Sequence, residues 1–250
     1  MDLIKQRIIT TPNTFEIIEF KDSKWKVNHV VRNKDGRKGS TIHELEETLQ
    51  EEKRKEYRIR TLARASASLW RTHQANANQY KEKDKFLTLT TKEAIIDIDA
   101  MDYQFKKFIQ RLKRNTKTKI QYQAVRELQE RQAIHYHVII YGMPFVPHST
   151  LLELWNKDNP FTSKKKLSGV NIKAIADGIE EMTSYLTSYQ LKDLIEKGDW
   201  LLGRKTILAS KDLKKPDVME FPDQTIKPLP YQIKKGITFI DSNVTYYRLK

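Results

Sequence analysis

The sequence predicts an α+β fold built on a largely antiparallel sheet, and three observations predict it. Across residues 85–196 the apolar patterns run strand, helix, strand, strand, helix, strand, helix. Two of the strand patterns, 119–128 and 133–141, are separated only by the polar stretch Gln129 to Gln132, which is the spacing of an antiparallel hairpin. Between the first two strands, residues 98–114 set Met101, Phe105, Phe108, Ile109 and Leu112 along one helical stripe, so that helix has one face to bury.

The remaining elements follow from the same periodicities. Residues 1–41 alternate short β-prone runs, Phe15 to Phe20 and Trp25 to Val31, with the turn residues Asp22-Ser23 and Asp35-Gly36, and they predict a hairpin. From Thr41 to about Gln79 the pattern is helical, with Thr41 placed as the cap and Glu44 in the capping-box position. That stretch carries Lys53, Arg54, Lys55, Arg58, Arg60, Arg64 and Arg71, which read either as a solvated face or as an arm lying along a phosphate backbone. Phe86 to Thr90 alternates apolar residues with threonine and reads as a strand. Thr150 to Trp155 reads as a short helix, Val170 to Ile175 as a strand and Ala176 to Glu196 as a long helix. The tail after Lys197 holds the prolines at 216, 222, 228 and 230 and reads as an irregular, partly extended appendage. These shifts divide the chain into an N-terminal hairpin with a basic helical extension (1–80), a core (81–197) and a C-terminal appendage (198–250), with one compact unit as the alternative.

Composition bounds the function. Of 250 residues, 38% are hydrophobic, enough for a globular core. No run approaches the roughly 18 apolar residues of a membrane helix, so no membrane partner is expected. The N-terminus lacks the layout of a signal peptide. Cysteine is absent, which excludes disulfides, thiolate metal sites and cysteine nucleophiles, and a cytoplasmic location is the expectation. A net charge of +14 favours a polyanionic partner, because lysine and arginine gain affinity by displacing phosphate counterions. Ribosomal and membrane-surface proteins share that surplus, so charge alone leaves the partner open.

The segment from Glu127 to Ile140 carries the most chemistry. Residues i and i+2 of a strand face the same way, so His135 and His137 can converge on one ion while Tyr136 points to the opposite face, towards the helices. If 129–132 closes a hairpin, Glu127 approaches both imidazoles, and two imidazoles with a carboxylate make a three-ligand site with open positions. Six histidines in such a chain produce a His-x-His by chance in roughly one case in seven, so a histidine that merely hydrogen-bonds is the alternative. His29, His43, His73 and His148 fit no ligand spacing and read as surface or loop residues. On the last predicted helix, Tyr185 and Tyr189 stand one turn apart on one face, with Lys192 one turn beyond. A phenol attacks at neutral pH only where a cation favours its oxyanion. With 11 tyrosines, such a pair also arises by chance in about half of comparable sequences.

Taken in order, Phe86-Leu-Thr-Leu-Thr90, His135-Tyr-His137 and Tyr185-x-x-x-Tyr189-x-x-Lys192 resemble the three successive motifs of HUH endonucleases, in the two-tyrosine form of rolling-circle replication initiators from phages and plasmids. Glu127 stands where some viral members of that family carry a carboxylate ligand, and Trp155 with Gly169-Val-Asn-Ile172 looks like the link between the second and third motifs. The resemblance covers roughly residues 76–195. It departs at Ser188, where such helices often have a lysine.

The resemblance implies a five-stranded antiparallel sheet of the RNA-recognition-motif, ferredoxin-like kind, flanked by helices, with the histidine strand central. It implies Mg2+ or Mn2+ held by Glu127, His135 and His137, attack on a scissile phosphate by Tyr185 or Tyr189, and a 5′-phosphotyrosine link that retains the bond energy for rejoining. Single-stranded DNA at an origin would be the substrate, with a separate helicase and polymerase as partners and a plasmid or phage in a bacterial or archaeal host as the source. An HUH transposase or mobilisation relaxase shares the chemistry, although relaxases commonly place their tyrosine before the histidines. A non-catalytic protein that holds single strands on a basic, aromatic face is the alternative from another class.

Overall fold

The structure, a computed structural model, describes residues 5–20, 47–80, 84–91, 97–131, 133–161, 169–175, 204–205, 207–221, 235–238 and 244–249. In chain order its elements are β1 (Lys5–Thr10), β2 (Phe15–Phe20), α1 (Glu47–Asn76), β3 (Lys85–Leu89), α2 (Ile98–Thr116), β4 (Gln121–Leu128), β5 (Ile134–Tyr141), α3 (His148–Asn156), β6 (Val170–Ala174), β7 (Ile207–Ala209), β8 (Asp217–Phe221), β9 (Lys235–Thr238) and β10 (Val244–Leu249). They form an α+β fold with two antiparallel sheets. The chain divides into two compact units, Met1–Arg54 with Lys215–Lys250, and Lys55–Lys214.

In the first unit the strand order is β8-β1-β2-β10-β9, and every neighbouring pair is antiparallel. The β1–β2 hairpin closes tightly because Thr11 N–H donates to the Thr14 carbonyl at 2.9 Å and the two threonine hydroxyls lie 2.8 Å apart. Ile8, Ile9 and Ile17 are buried. The expected hairpin therefore forms one strand earlier than its sequence pattern suggests, with β1 pairing to Phe15–Phe20. The second run, Trp25 to Val31, and the Thr41 cap lie outside the described residues. The tail differs from an irregular appendage: it supplies β7 to one sheet and β8, β9 and β10 to the other. Its prolines mask this in sequence, because Pro216 and Pro222 bracket β8 from outside and so break no ladder bond within it.

The second unit is built on the sheet β6-β3-β5-β4-β7, again antiparallel throughout, with the histidine strand β5 at its centre. All eight residues of β5 are buried. Strand alternation sends Leu87, Leu89, Ala124, Leu128, Ile134, Tyr136, Val138 and Ile140 to one face, where Met101, Phe105, Phe108 and Leu112 of α2 and Leu151 and Trp155 of α3 cover them. Tyr136 stacks on Phe105 with ring centroids 4.7 Å apart. The opposite face collects Phe86, Val125, Ile139 and Tyr141 with Leu69 of α1, Ile175 and Leu213. Helix α2 begins where Asp97 accepts hydrogen bonds from the amides of Asp99 and Ala100, and it ends at Lys117 in a left-handed conformation.

Two polar groups in this interior have identifiable costs. Arg126, only 3% exposed, donates two hydrogen bonds to Asp102 of α2, at 2.7 and 2.5 Å, and one to the Lys205 carbonyl. Tyr136 hydroxyl donates to the same carboxylate at 2.7 Å. Asp102 thus satisfies both a buried cation and a buried phenol.

The second group is His73, which is fully buried in α1 rather than a surface or loop residue. Tyr141 hydroxyl donates to Gln123 Oε1 at 2.5 Å, so its oxygen accepts from His73 Nδ1–H at 3.1 Å. Nε2 is left without a partner among the described residues. Burial of that ring pushes its pKa down to about 4.

Asp102→Ala strands the Arg126 guanidinium and the Tyr136 hydroxyl and should cost about 3–5 kcal/mol, read as a lowered urea midpoint. For His73 the folded pKa lies below the unfolded value of 6.5, so the unfolded chain binds the extra proton. The stabilisation is complete above about pH 6.5 and is lost as pH falls towards about 4. In His73→Gln, the fall in unfolding free energy between neutral pH and pH 4 should shrink by up to about 3 kcal/mol. An unchanged pH slope would show that another group carries it.

Candidate functional site

The site face of the second sheet is assembled by register. Thr88 of β3 and Val125 of β4 stand opposite His137, Asn171 of β6 stands opposite Thr88, and Glu127 stands opposite His135. The parity of these positions aims Thr88, Glu127, His135 and His137 away from α2 and α3. Both histidines are 5% exposed. The contact Glu127 makes is diagonal rather than direct: its Oε2 lies 2.5 Å from His137 Nε2, so the ring N–H donates to the carboxylate. His137 Nδ1 lies 3.3 Å from the Thr88 hydroxyl, which donates to it when the ring is neutral. Phe86 stacks beside the same ring, centroids 5.8 Å apart and planes 14° from parallel. His137 is therefore held at both nitrogens and on one face, the kind of support that fixes a functional imidazole in one tautomer and orientation.

His135 sits differently. Its Nε2 is 3.5 Å from the Arg131 guanidinium, which itself donates to the Thr91 carbonyl. Burial holds the His135 pKa down at about 4 against the upward pull of the Glu127 carboxylate, while His137 and Arg131 add to the depression. At neutral pH this ring is uncharged and keeps a lone pair. Thr88 and Arg131 carry no motif spacing of their own. Thr88 is legible in sequence only as part of the Phe86–Thr90 strand, and Arg131 only as a turn residue.

The link residues act on the end of β3. Trp155 Nε1–H donates to the Thr90 carbonyl at 2.9 Å, and the Gly169 carbonyl accepts from Thr90 N–H at 2.9 Å and from its hydroxyl at 3.2 Å. A Cβ on Gly169 would stand 2.7 Å from Thr90 Oγ1, closer than such atoms approach. Trp155 and Gly169 thereby pin the strand that presents Thr88 to His137.

These donors fit a divalent cation in kind: one carboxylate and two imidazoles on one sheet face, one of the rings held neutral as a ligand must be. They are not drawn into a cage. Among the described residues no group of three or more such side chains is arranged to hold an ion. Glu127 and His137 close on each other at 2.5 Å. Two ligands at right angles on a magnesium-sized ion stand about 2.9 Å apart, so admitting one requires this pair to part by a few tenths of an ångström.

Tyr185, Tyr189 and Lys192 lie outside the described residues. Of the basic helical stretch, Arg60 and Arg64 are exposed and Arg58 and Arg71 are half-buried, whereas the side chains of Lys53, Arg54 and Lys55 lie outside the described residues. No described helix is long and apolar enough to cross a membrane.

No curated protein matches the chain. Among solved structures, the hypothetical protein ORF119 from Sulfolobus islandicus rod-shaped virus 1 is similar at 16% identity and a TM-score of 0.33, covering 54% of this chain and 92% of that one. Residues 84–194, which take in β3, the histidine strand, Trp155 and both candidate tyrosines, match the family model of the replication-associated protein ORF2.

Proposed function

We propose that the chain is a replication initiator that nicks and rejoins single-stranded DNA through a tyrosine. The observation that carries this reading is the placement of His135, His137 and Glu127 on one face of the sheet's central strands, inside the segment that matches a replication-associated family. In this reading Glu127, His135 and His137 hold Mg2+ or Mn2+. Such an ion supplies Lewis-acid polarisation of a phosphate and stabilises its developing charge.

The protein's own part begins with orientation. Thr88 and Phe86 fix the His137 ring, and the low pKa of His135 keeps a competing proton off it at neutral pH. Tyr185 or Tyr189 then attacks phosphorus. One phenolic O–P bond forms as the bond from phosphorus to the 3′ oxygen breaks, and the phenol's proton passes, in net, to the departing 3′ hydroxyl. Lys192 favours the phenolate that attacks. Rejoining is the reverse, with a 3′ hydroxyl displacing the tyrosine, so bonds are conserved and no nucleotide is consumed. Residues 176–203, which carry both tyrosines, join Ile175, beside the edge strand β6, to Arg204, just before the opposite edge strand β7. The reading requires that this segment pass over the histidine face. Four strand spacings are about 19 Å, a distance its length covers readily.

One observation favours a second reading. With no three-donor group gathered among the described residues, the Glu127–His137 pair also serves as a buried structural contact in a protein that binds single strands without cutting them.

Incubation with single-stranded origin DNA and Mn2+ separates the two. The initiator forms a covalent adduct at Tyr185 or Tyr189, whereas a binder shifts the DNA and leaves it intact. His137→Ala or chelation should abolish the adduct while DNA binding persists. Tyr185→Phe and Tyr189→Phe should each retain some adduct if both phenols act, with only the double variant inactive. If one single variant is already inactive, the other phenol is a packing residue. Adduct at neither tyrosine ends the proposal.

A further inference from the structure

Helix α2 faces away from the histidine cluster, because it covers the sheet face that carries Tyr136. Its outer side is a stripe of cations. Lys106, Lys113, Arg114 and Lys117 are exposed and Lys107 is half-buried, at steps of three and four residues that keep them in line. From Lys106 to Lys117 the stripe is about 17 Å long, the axial length of about five nucleotides of one duplex strand. The helix has two carboxylates to offset it, and both are turned to other arginines. Asp102 holds Arg126, and Asp99 holds Arg204. The salt bridges among the described residues include none at Lys106, Lys113, Arg114 or Lys117. Among those residues, then, nothing neutralises the charge on this face.

Aromatic groups stand at both ends of the stripe. Tyr103 is 55% exposed, with the Lys107 ammonium 5.1 Å from its ring centre. At the other end, Gln121 pairs with Tyr141, so the strand that follows α2 and the strand that precedes Phe145 lie side by side. Phe145 is 86% exposed, although Met143 and Val146 on either side are in the core. Its loop is thus anchored on both flanks, and Pro144 and Pro147 restrict the backbone. A phenylalanine held out in this way gains nothing from the fold that presents it.

We propose that the outer face of α2, with Phe145 at its end, is a second nucleic-acid site that takes a phosphodiester backbone along the cations and stacks a base on Phe145. It rests on the nucleic-acid-binding part of the function proposed above but not on the nicking step. A site on the far side of the sheet would hold DNA flanking the strand at the histidine face. Aromatic platforms beside a basic track are the usual means of gripping unpaired bases.

The test uses the full chain and a labelled single strand, with its duplex as a second arm, over a salt titration. The variant Lys106→Gln/Lys113→Gln/Arg114→Gln should flatten the log–log salt slope for single strands by about 2, at roughly 0.7 for each phosphate no longer neutralised. Phe145→Ala should weaken single-strand binding by about fivefold or more, with less effect on duplex. An unchanged slope in a folded triple variant overturns the site. So does a loss confined to vesicles of anionic lipid, which would make the face a membrane contact. Should the triple variant fail to fold, the wild-type protein decides: DNA protects Lys106 and Lys113 from acylation, or the proposal fails. Adduct formation is scored separately. If no protein forms an adduct yet the slope still flattens, only the nicking reading is lost.

Discussion

Strand β5 is buried on both faces along its whole length, and this burial governs the second unit. A strand with no wet side must find an internal partner for every polar side chain it carries, because an unpaired polar group in such a place costs several kcal/mol. Its four polar side chains are satisfied in four different ways. Tyr136 bonds Asp102, Tyr141 bonds Gln123 and His73, His137 bonds Glu127 and Thr88, and His135 lies beside Arg131. The last is the loosest arrangement, and His135 carries the depressed pKa.

Alternation then gives the two faces different tasks. The even residues of β5 join α2 and α3 in a core of close aromatic contacts, Tyr136 on Phe105 and Trp155 edge-on to Phe108. The odd residues hold imidazoles against a carboxylate. A site whose side chains are placed by a packed sheet keeps its geometry better than one carried on loops. Here the support extends to the neighbouring strand, since Trp155 and Gly169 fasten Thr90 and so fix Thr88 against His137.

Charge is distributed by the same logic. The acidic groups nearest the interior are drawn inward to pair with arginines or imidazoles, as Asp102 and Glu127 are. What remains on the outside of α2 is basic. Part of the surplus of +14 is therefore gathered into a directional stripe rather than spread as an even coat. Such a stripe gives a polyanion a track, because counterions released along a line add to affinity without any need for base contacts.

The sequence by itself determined the second sheet's strands and helices, and which residues of β5 share a face. Those features are local: strand alternation, a helical stripe at 101–112, and a four-residue polar turn that leaves two strands only one way to pair. His135, His137 and Glu127 could be brought together on that basis because a hairpin register is set by its turn. Tertiary structure alone decided the rest. It made the diagonal Glu127–His137 contact, set Thr88 and Arg131 beside the rings and buried His73, since each depends on strands or helices distant in sequence. It also put the chain's first and last segments into one sheet. Short strands pair wherever a free edge lies, and no periodicity within Lys5–Thr10 or Val244–Leu249 records which edge that is.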